Sequence, residues 1–386
     1  MTTHNQKMIK VCFVLTAEFA VKAFLINHLI ALSKIYEVTI VVNTNNPDFL
    51  ANLGVPVKVI SLKIAREINI IADLICLMRL ISIFRKSRFS AVHSVTPKAG
   101  LLAMSAAWLV RVPLRIHTFQ GEVWVTKSGF MRYLLIFMDK MVNYFATNLI
   151  VVSQSERAFL IDQNIISAEN SVVFNHGSIS GVNFNKFKPS QSARKQIRLK
   201  YKITDDEVLF LYVGRLTTDK GILDLVDAFA KIKHTGCHLM FVGPEEKITH
   251  KDISARLYGV HSRVHFVEFT EVTERFMAAA DVLCLPSYRE GFGVVVIEAA
   301  AVGIPAIASR IYGITDAVID GETGLLHGVK DSEAIKNCLQ MMLNNHTLRL
   351  KLGAQAQTRA INHFDSGLIT QAWVDFYRKN LNESHA

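Results

Sequence analysis

Between Asp281 and Gly303 the chain passes from a short apolar run, Val282-Leu283-Cys284-Leu285, through Pro286 and a glycine-containing turn into a second apolar run, Val294 to Val302. One charge, Glu298, interrupts the second run. Pro286 closes the first run, which predicts a short buried strand. The second run follows Gly291 and Gly293 and predicts a buried helix. Strand, glycine turn and buried helix form the repeating unit of an open parallel α/β sheet. The turn lies at the carboxyl end of its strand, where ligands gather. The 386 residues exceed what one hydrophobic core usually holds, so two such domains are expected.

The turn reads Pro286-Ser287-Tyr288-Arg289-Glu290-Gly291-Phe292-Gly293. Its glycines let the backbone approach a ligand closely, and the amides opening the next helix carry partial positive charge, a setting that suits a phosphate. Glu290 on the turn and Glu298 in the helix are separated by seven residues. A carboxylate in an apolar helix costs several kcal/mol to bury unless it is hydrogen-bonded. Sugar or ribose hydroxyls would supply the donors. A structural alternative has Glu298 capping a neighbouring loop and Glu290 in solvent.

A second candidate element is the predicted strand 208–213, which ends in Gly214-Arg215, with Lys220-Gly221 next and a predicted helix at 222–232. Arginine offers a fork matched to phosphate oxygens and lysine a compact point charge, so the pair suits a diphosphate. Two solvated loop cations are the alternative, and the flanking glycines weigh against it.

Strand and helix patterns alternate elsewhere too. Strands are predicted at 11–15, 38–42, 57–60, 91–94, 114–117 and 149–152 in the first half, and at 238–242, 264–269, 306–309 and 324–326 in the second. Helices are predicted at 24–33, 130–142, 331–360 and 368–381. Each half reads as a doubly wound parallel sheet with its loops facing a cleft. The link spans 175–189, so the domains are expected at 1–189 and 190–365, with 366–386 as a terminal helix. Three first-half loops carry polar groups: Thr16-Ala17-Glu18, the stretch 94–100 with Lys98, and 117–124 with Gln120 and Glu122. Lys98 suits an acceptor phosphate or plain solvent, Glu122 an acceptor contact, and His117 reads as a core histidine.

The pattern Glu290-x7-Glu298 within Pro-Ser-x-x-Glu-Gly-Phe-Gly, with Gly214-Arg215-Leu216, Lys220-Gly221 and Asp320-Gly321-Glu322-Thr323-Gly324-Leu325-Leu326, resembles the retaining nucleotide-sugar glycosyltransferases of family GT4. The likeness covers most of the second half, and the first half resembles members that build bacterial surface polysaccharides. The resemblance implies the GT-B fold, two doubly wound Rossmann-like domains facing across a cleft. The first would take the acceptor and the second the donor, and the final helix would cross back to the first. Gly214, Arg215, Lys220, Glu290, Gly291, Phe292, Gly293, Val294 and Glu298 are then the donor-binding set. Arg215 and Lys220 hold the diphosphate, Glu298 the ribose and Glu290 the sugar hydroxyls. The departing phosphate oxygen would assist same-face attack, so no protein nucleophile and no cofactor are implied. Two features depart from the family. Gln120 stands where many members have histidine, and can donate a hydrogen bond but not act as acid or base. The first loop lacks paired glycines.

Charge separates the halves. Residues 1–188 hold 20 Lys/Arg against 10 Asp/Glu, while residues 189–386 hold 23 of each. The whole excess points to an anionic partner of the first half. No Cys/His finger or aromatic-basic signature suggests nucleic acid, so an anionic inner membrane surface is expected, with a polyprenyl-diphosphate-linked sugar as acceptor. The stripe Ile64, Ile68, Ile71, Leu74, Ile75, Met78 and Ile81, among Lys63, Arg66, Arg79, Arg85, Lys86 and Arg88, suits an interfacial helix or, as apolar periodicity usually does, the core. Residues 1–6 are polar and no apolar run reaches membrane-spanning length, so a peripheral cytoplasmic protein is expected. The five cysteines read as buried thiols. No Asp-x-Asp and no ligand-spaced cluster occurs, so fixed cations and helix amides are expected to neutralise the leaving group without a metal. A UDP-sugar donor, an N-acetylhexosamine among the candidates, stands ahead of a GDP-linked mannosyl donor. A GT-B UDP-N-acetylglucosamine epimerase and a non-catalytic sugar-nucleotide sensor are the rival functions.

Overall fold

The computed structural model describes residues 8–65, 68–257 and 259–383, so the polar stretch 1–6 and Arg66 lie outside the described residues. Two compact units divide the chain, Met1–Ser180 with Ser366–Ala386, and Gly181–Asp365. The division falls before the expected 189/190 because the linking segment is tied into the second unit. There, Val182 donates its N–H to Phe364 O at 2.7 Å, and Lys186 Nζ donates to Glu271 O at 3.0 Å.

The first unit runs β1 (Lys10–Leu15), α1 (Glu18–Phe24), α2 (Ile26–Leu32), β2 (Glu37–Val42), β3 (Lys58–Ser61), α3 (Ile70–Ser87), β4 (Ala91–Ser94), α4 (Pro97–Leu109), β5 (Leu114–Phe119), α5 (Gly129–Phe145), β6 (Asn148–Val151), α6 (Gln154–Asp162) and β7 (Ser171–Val172). Its parallel sheet has the order β3-β2-β1-β4-β5-β6-β7. The second unit holds α7 (Gln191–Tyr201), β8 (Val208–Val213), α8 (Ile222–Ala230), β9 (Cys237–Val242), α9 (His250–Ser254), β10 (Val264–Val267), α10 (Thr273–Ala279), β11 (Val282–Leu285), α11 (Val294–Val302), β12 (Ala306–Ser309), α12 (Ile314–Ala317), β13 (Gly324–His327), α13 (Ser332–Asn344) and α14 (His346–His363). Its sheet is again parallel, in the order β10-β9-β8-β11-β12-β13. The last helix, α15 (Ser366–Glu383), belongs to the first unit.

Strands covered on both faces read as continuous apolar runs, and β1 and β11 do so. Alternate residues of the first sheet serve different helices. Cys12, Val14 and Val92 join the core under α3, α4 and α5, with Leu80, Phe84 and Ala103. Phe13 and His93 face the other way, toward α15. Trp373 of α15 stacks between His28 at 4.5 Å and His93 at 4.9 Å. His93 is fixed by the Tyr377 hydroxyl and by Thr118, each at 2.7 Å. Burial holds both histidines neutral, His28 down to about 4.

Three expectations change. The helix predicted at 331–360 is two helices, because the Asn345 side chain accepts from Leu348 N at 2.9 Å and starts α14 afresh. Cys338 is only partly buried, while the other four cysteines are buried. The α3 stripe does not sit wholly in the core. Ile64 and Ile81 are buried, but Ile68, Ile71, Leu74, Ile75 and Met78 are exposed, Ile71 to 74 %. Among the described residues no helix is long and apolar enough to cross a membrane.

Candidate active site

Each sheet reverses its winding at one place. In the second unit the chain moves from β8 outward to β9 and β10, then returns beside β8 with β11 and continues to β12 and β13. The loops after β8 and β11 therefore leave their strands in opposite directions and border a crevice at the carboxyl ends. They carry Gly214-Arg215 through Lys220-Gly221 and Pro286 through Gly293.

The two loops are packed as one body. Gly221 has φ +65°, and a Cβ there would lie 2.0 Å from Pro286 O, so only glycine permits this approach. Lys220 Nζ pairs with Glu290 Oε1, and the Ser287 hydroxyl donates to the same oxygen at 2.9 Å. The two intervening residues are braces. Tyr288 donates its N–H to Asp219 O at 2.8 Å and its hydroxyl to Asp224 Oδ2 at 2.6 Å. Arg289 Nη2 pairs with Asp219 Oδ2 at 2.8 Å, and Thr217 donates to Asp219 Oδ1 at 2.7 Å. Burial raises the Asp219 carboxyl, but Thr217, Arg289 and Lys220 outweigh it and hold the group below its ordinary range.

Gly293, at φ 77°, caps α11 with the left-handed turn that starts the helix. Phe292 is 3 % exposed and meets Phe364 edge-on at 5.3 Å, so it can offer a donor only its backbone. Arg215 lies in a separate network, its guanidinium paired with Glu246. Four residues into α11, Glu298 keeps part of its surface exposed, yet desolvation pushes its carboxyl up to about 8. Lys186 opposes that shift and Glu274 adds to it. Thus Lys220, Ser287 and Glu290 form one cluster, while Arg215 pairs with Glu246 and Glu298 lies in the field of Lys186 and Glu274. Lys220 can exchange its carboxylate for a phosphate, and the released Glu290 can accept hydroxyls.

In the first unit the winding reverses between β1 and β4. Thr16 N donates to Thr96 Oγ1 at 3.3 Å across that point. Glu18 pairs with Lys22 at 2.6 Å. Lys98 opens α4 and pairs with Asp73 at 2.7 Å, so it is engaged on the surface of its own unit. Gln120 Nε2 donates to Val95 O at 2.6 Å, joining the loops that follow β4 and β5.

Glu122, expected at an acceptor, is 2 % exposed and lies inside the unit. Gly121 N–H donates to Glu156 Oε1, and Trp124 Nε1 donates to Asp139 Oδ2 at 2.8 Å. Burial and then the neighbouring Glu122 push Glu156 well up and Asp139 to about 7. These acids fix the Gln120 loop from beneath, which corrects the surface role expected of Glu122. His117 is a core histidine, 2.8 Å from the Ser94 hydroxyl and pushed down to about 3 by burial.

Sequence reasoning missed Asp219, Asp224, Glu246, Glu156 and Asp139. Ser153-Gln154-Ser155-Glu156 has the form of a helix cap, and Ser153 does cap α6 by accepting from Glu156 N at 3.1 Å. Nothing in the pattern says that the Glu156 side chain turns to Gly121.

Residues 193–359 match the family model for group 1 glycosyl transferases, and residues 27–176 that of the glycosyl transferase 4-like domain. The capsular polysaccharide biosynthesis glycosyltransferase CapM of Staphylococcus aureus is 32 % identical, over 83 % of this chain and 84 % of its own. An N,N'-diacetylbacillosaminyl-diphospho-undecaprenol alpha-1,3-N-acetylgalactosaminyltransferase of Campylobacter jejuni is 23 % identical, over 77 % and 79 %. Among solved structures, Anabaena HepE in complex with UDP superposes with a TM-score of 0.79 at 20 % identity, over 96 % of this chain and 100 % of its own. The chain belongs to the group 1, GT4-type glycosyltransferases and has their GT-B fold, two Rossmann-like α/β units.

Proposed function

We propose that the protein transfers a sugar from a UDP-linked donor to a polyprenyl-diphosphate-linked saccharide, with retention of configuration and without a metal, in building a surface polysaccharide such as O-antigen or capsule. The observation that carries this reading is the Lys220–Glu290–Ser287 cluster on the two loops at the winding reversal of the second sheet. Arg215 and Lys220 are assigned to the diphosphate, with the backbone of Gly214 and of Gly291 through Val294 against the donor. Glu298 is assigned to the ribose and Glu290 to the hydroxyls of the transferred sugar. Gln120 is assigned to sugar recognition as a hydrogen-bond donor. Charge developing on the leaving diphosphate would be met by fixed cations and helix amides. The departing oxygen would assist same-face attack.

The names of relatives support the finer choices. One is named for capsular polysaccharide, one for N-acetylgalactosaminyl transfer and a diphospho-undecaprenol-linked sugar, and one solved neighbour holds UDP. These names support an N-acetylhexosamine donor and a lipid-linked acceptor, and the basic first half supports a place at the cytoplasmic face of the membrane.

Thermal unfolding with nucleotides tests the donor. UDP is expected to raise the melting temperature and GDP to leave it unchanged. Lys220→Ala should weaken UDP binding about tenfold, the loss of one charge-assisted contact. Stabilisation by GDP alone would move the assignment to a GDP-linked donor. Transfer is expected to survive EDTA, and restoration by added divalent metal would contradict the fixed-charge reading.

A further inference from the structure

We propose that Glu156 is a positioning residue for Gln120: through the Gly121 N–H, and through a proton shared with Glu122, it sets the place of the loop that carries Gln120. The part given to Gln120 rests on the transferase reading above, whereas the hold on the loop stands on the first unit alone.

The loop runs from Gln120 to Lys127, after β5. Gln120 Nε2 is tied to Val95 O at 2.6 Å in the loop after β4, which places its amide next to the winding reversal of the first sheet. Gly121 has φ 87°, a left-handed turn after which the chain goes inward. Glu122 and Trp124 are buried, and the Trp124 ring stacks on Phe159 of α6 at 5.5 Å. A glutamate three residues after a serine cap ordinarily serves the start of its own helix. Glu156 holds that place in α6, behind Ser153, yet it crosses 35 residues of sequence to accept the Gly121 N–H beneath Gln120. Its side chain is wholly buried, so water screens the bond little.

Two carboxylates cannot hydrogen-bond each other, whereas a carboxylic acid and a carboxylate can. Glu156 and Glu122 meet in a side-chain hydrogen bond, so one of them keeps its proton. Burial, and after it Glu122, pushes Glu156 well above the ordinary range. On α5, Asp139 accepts from Trp124 at 2.8 Å and is pushed to about 7, again by burial and then by Glu122. The surrounding cations relieve the acids little. Arg132 of α5 lies over the Trp124 ring at 5.3 Å, and Arg157 of α6 turns to Ser171 and the Ala168 carbonyl. Lys127 and Lys140 are exposed, and His117 on β5 is neutral. Above the ordinary 4.5 the folded chain keeps a proton that the unfolded chain releases, so the hold is complete at low pH and lost as pH rises. Ionisation of Asp139 at about 7 adds charge beside Glu122. Loss of the shared proton then sets two like charges face to face in a low dielectric, which moves the loop and Gln120 with it.

The test is kcat for sugar transfer by the full chain between about pH 6 and 9, beside hydrogen exchange of residues 120–127 corrected for its intrinsic pH dependence. Saturating donor keeps the Glu298 ionisation, which acts on UDP affinity, out of the reading. The parent should turn over at least about tenfold more slowly at the alkaline end, since each pH unit above a pKa removes about nine tenths of the protonated form. Exchange of the loop should quicken over the same range. In Glu122→Gln an amide N–H takes the place of the shared proton at every pH, so rate and exchange should both be flat. Glu156→Ala should lower kcat about 10²-fold, the usual result of a misplacement of about 1 Å, and open the loop at every pH. Glu156→Gln still accepts from Gly121 and offers an N–H to Glu122, so it should recover most of that loss. The UDP-induced thermal shift should be the same in all of them. Equal losses in the alanine and glutamine variants, with the parental pH slope kept, would overturn the proposal in favour of a structural glutamate. Coincident profiles of the parent and Glu122→Gln, or exchange in the parent that does not change with pH, would overturn it outright. Absence of transfer in the parent would count against the transferase assignment alone, because exchange reads the loop without turnover.

Discussion

Glu290→Ala is expected to lower kcat for sugar transfer about 10²–10³-fold, the usual loss when one aligned electrostatic contact to a transition state is removed. The melting temperature should fall by only a few degrees. Glu290 touches Lys220 and Ser287 on the rim of its unit, with 15 % of its side chain exposed, rather than supporting the core. The loops would stay joined through Tyr288, Arg289 and Asp219, and Gly221 would still rest on Pro286. Glu290→Gln separates two roles. An amide oxygen keeps the Ser287 bond and can still accept a hydroxyl, but it carries no charge. If Glu290 acts mainly as a clamp, glutamine should restore part of the rate. If its charge matters, glutamine should behave as alanine does. Single-turnover rates at saturating donor would decide, and a parental rate in the alanine variant would remove Glu290 from the site.

The strand and helix that carry Glu290 were legible in the sequence because their boundaries are local. Val282–Leu285 and Val294–Val302 are apolar runs bounded by Pro286 and Gly293, and such boundaries are local signals. Both elements appear at those bounds. Lys220 and Glu290 are 70 residues apart. Their meeting was not local: the family pattern assigned both to one donor site, but not their pairing with each other. The bracing was hidden for the opposite reason. Tyr288 and Arg289 occupy the unspecified positions of the motif, and their partners Asp219 and Asp224 read as ordinary loop and helix acids. Arg215 shows a different limit. A cation at a strand end suits a phosphate, but the sequence could not foretell that its guanidinium would pair with Glu246.

Surfaces were harder to read than cores. The α3 stripe has helical spacing, and spacing tells that apolar groups share a face without telling what covers that face. Leu80 and Phe84 of the same helix are buried while Leu74 and Met78 are exposed, a division set by where α4 lies. Glu122 failed in the other direction. A charged residue in a polar loop is ordinarily solvated, but the loop turns inward and its acid joins Glu156 and Asp139. The winding order of each sheet selects which loops meet at the carboxyl ends, so neither error bears on the pairing of Lys220 with Glu290. The loops that carry chemistry are chosen by strand order, not by which helix faces are wet.

Glu298→Gln should stabilise the ligand-free protein at alkaline pH and weaken UDP binding at least about tenfold, as expected when a charge-assisted acceptor is lost. The folded carboxyl titrates at about 8 against an ordinary 4.5, raised first by desolvation, with Glu274 adding to the shift and Lys186 opposing it. Between those two values the folded chain keeps a proton that the unfolded chain has released, so stability falls as pH rises through that window. Glutamine carries no such proton. The variant should match the parent near the lower end of the window and melt several degrees higher at its upper end, a gain tempered by the partial exposure of Glu298. Ribose hydroxyls would favour the ionised form, so UDP binding to the parent should release a proton and tighten as pH rises toward about 8. Calorimetry in buffers of different ionisation enthalpy reads that proton directly. Its absence, with unchanged UDP affinity in the variant, would remove Glu298 from the donor site. A stabilising change that costs affinity is the mark of a group kept for binding.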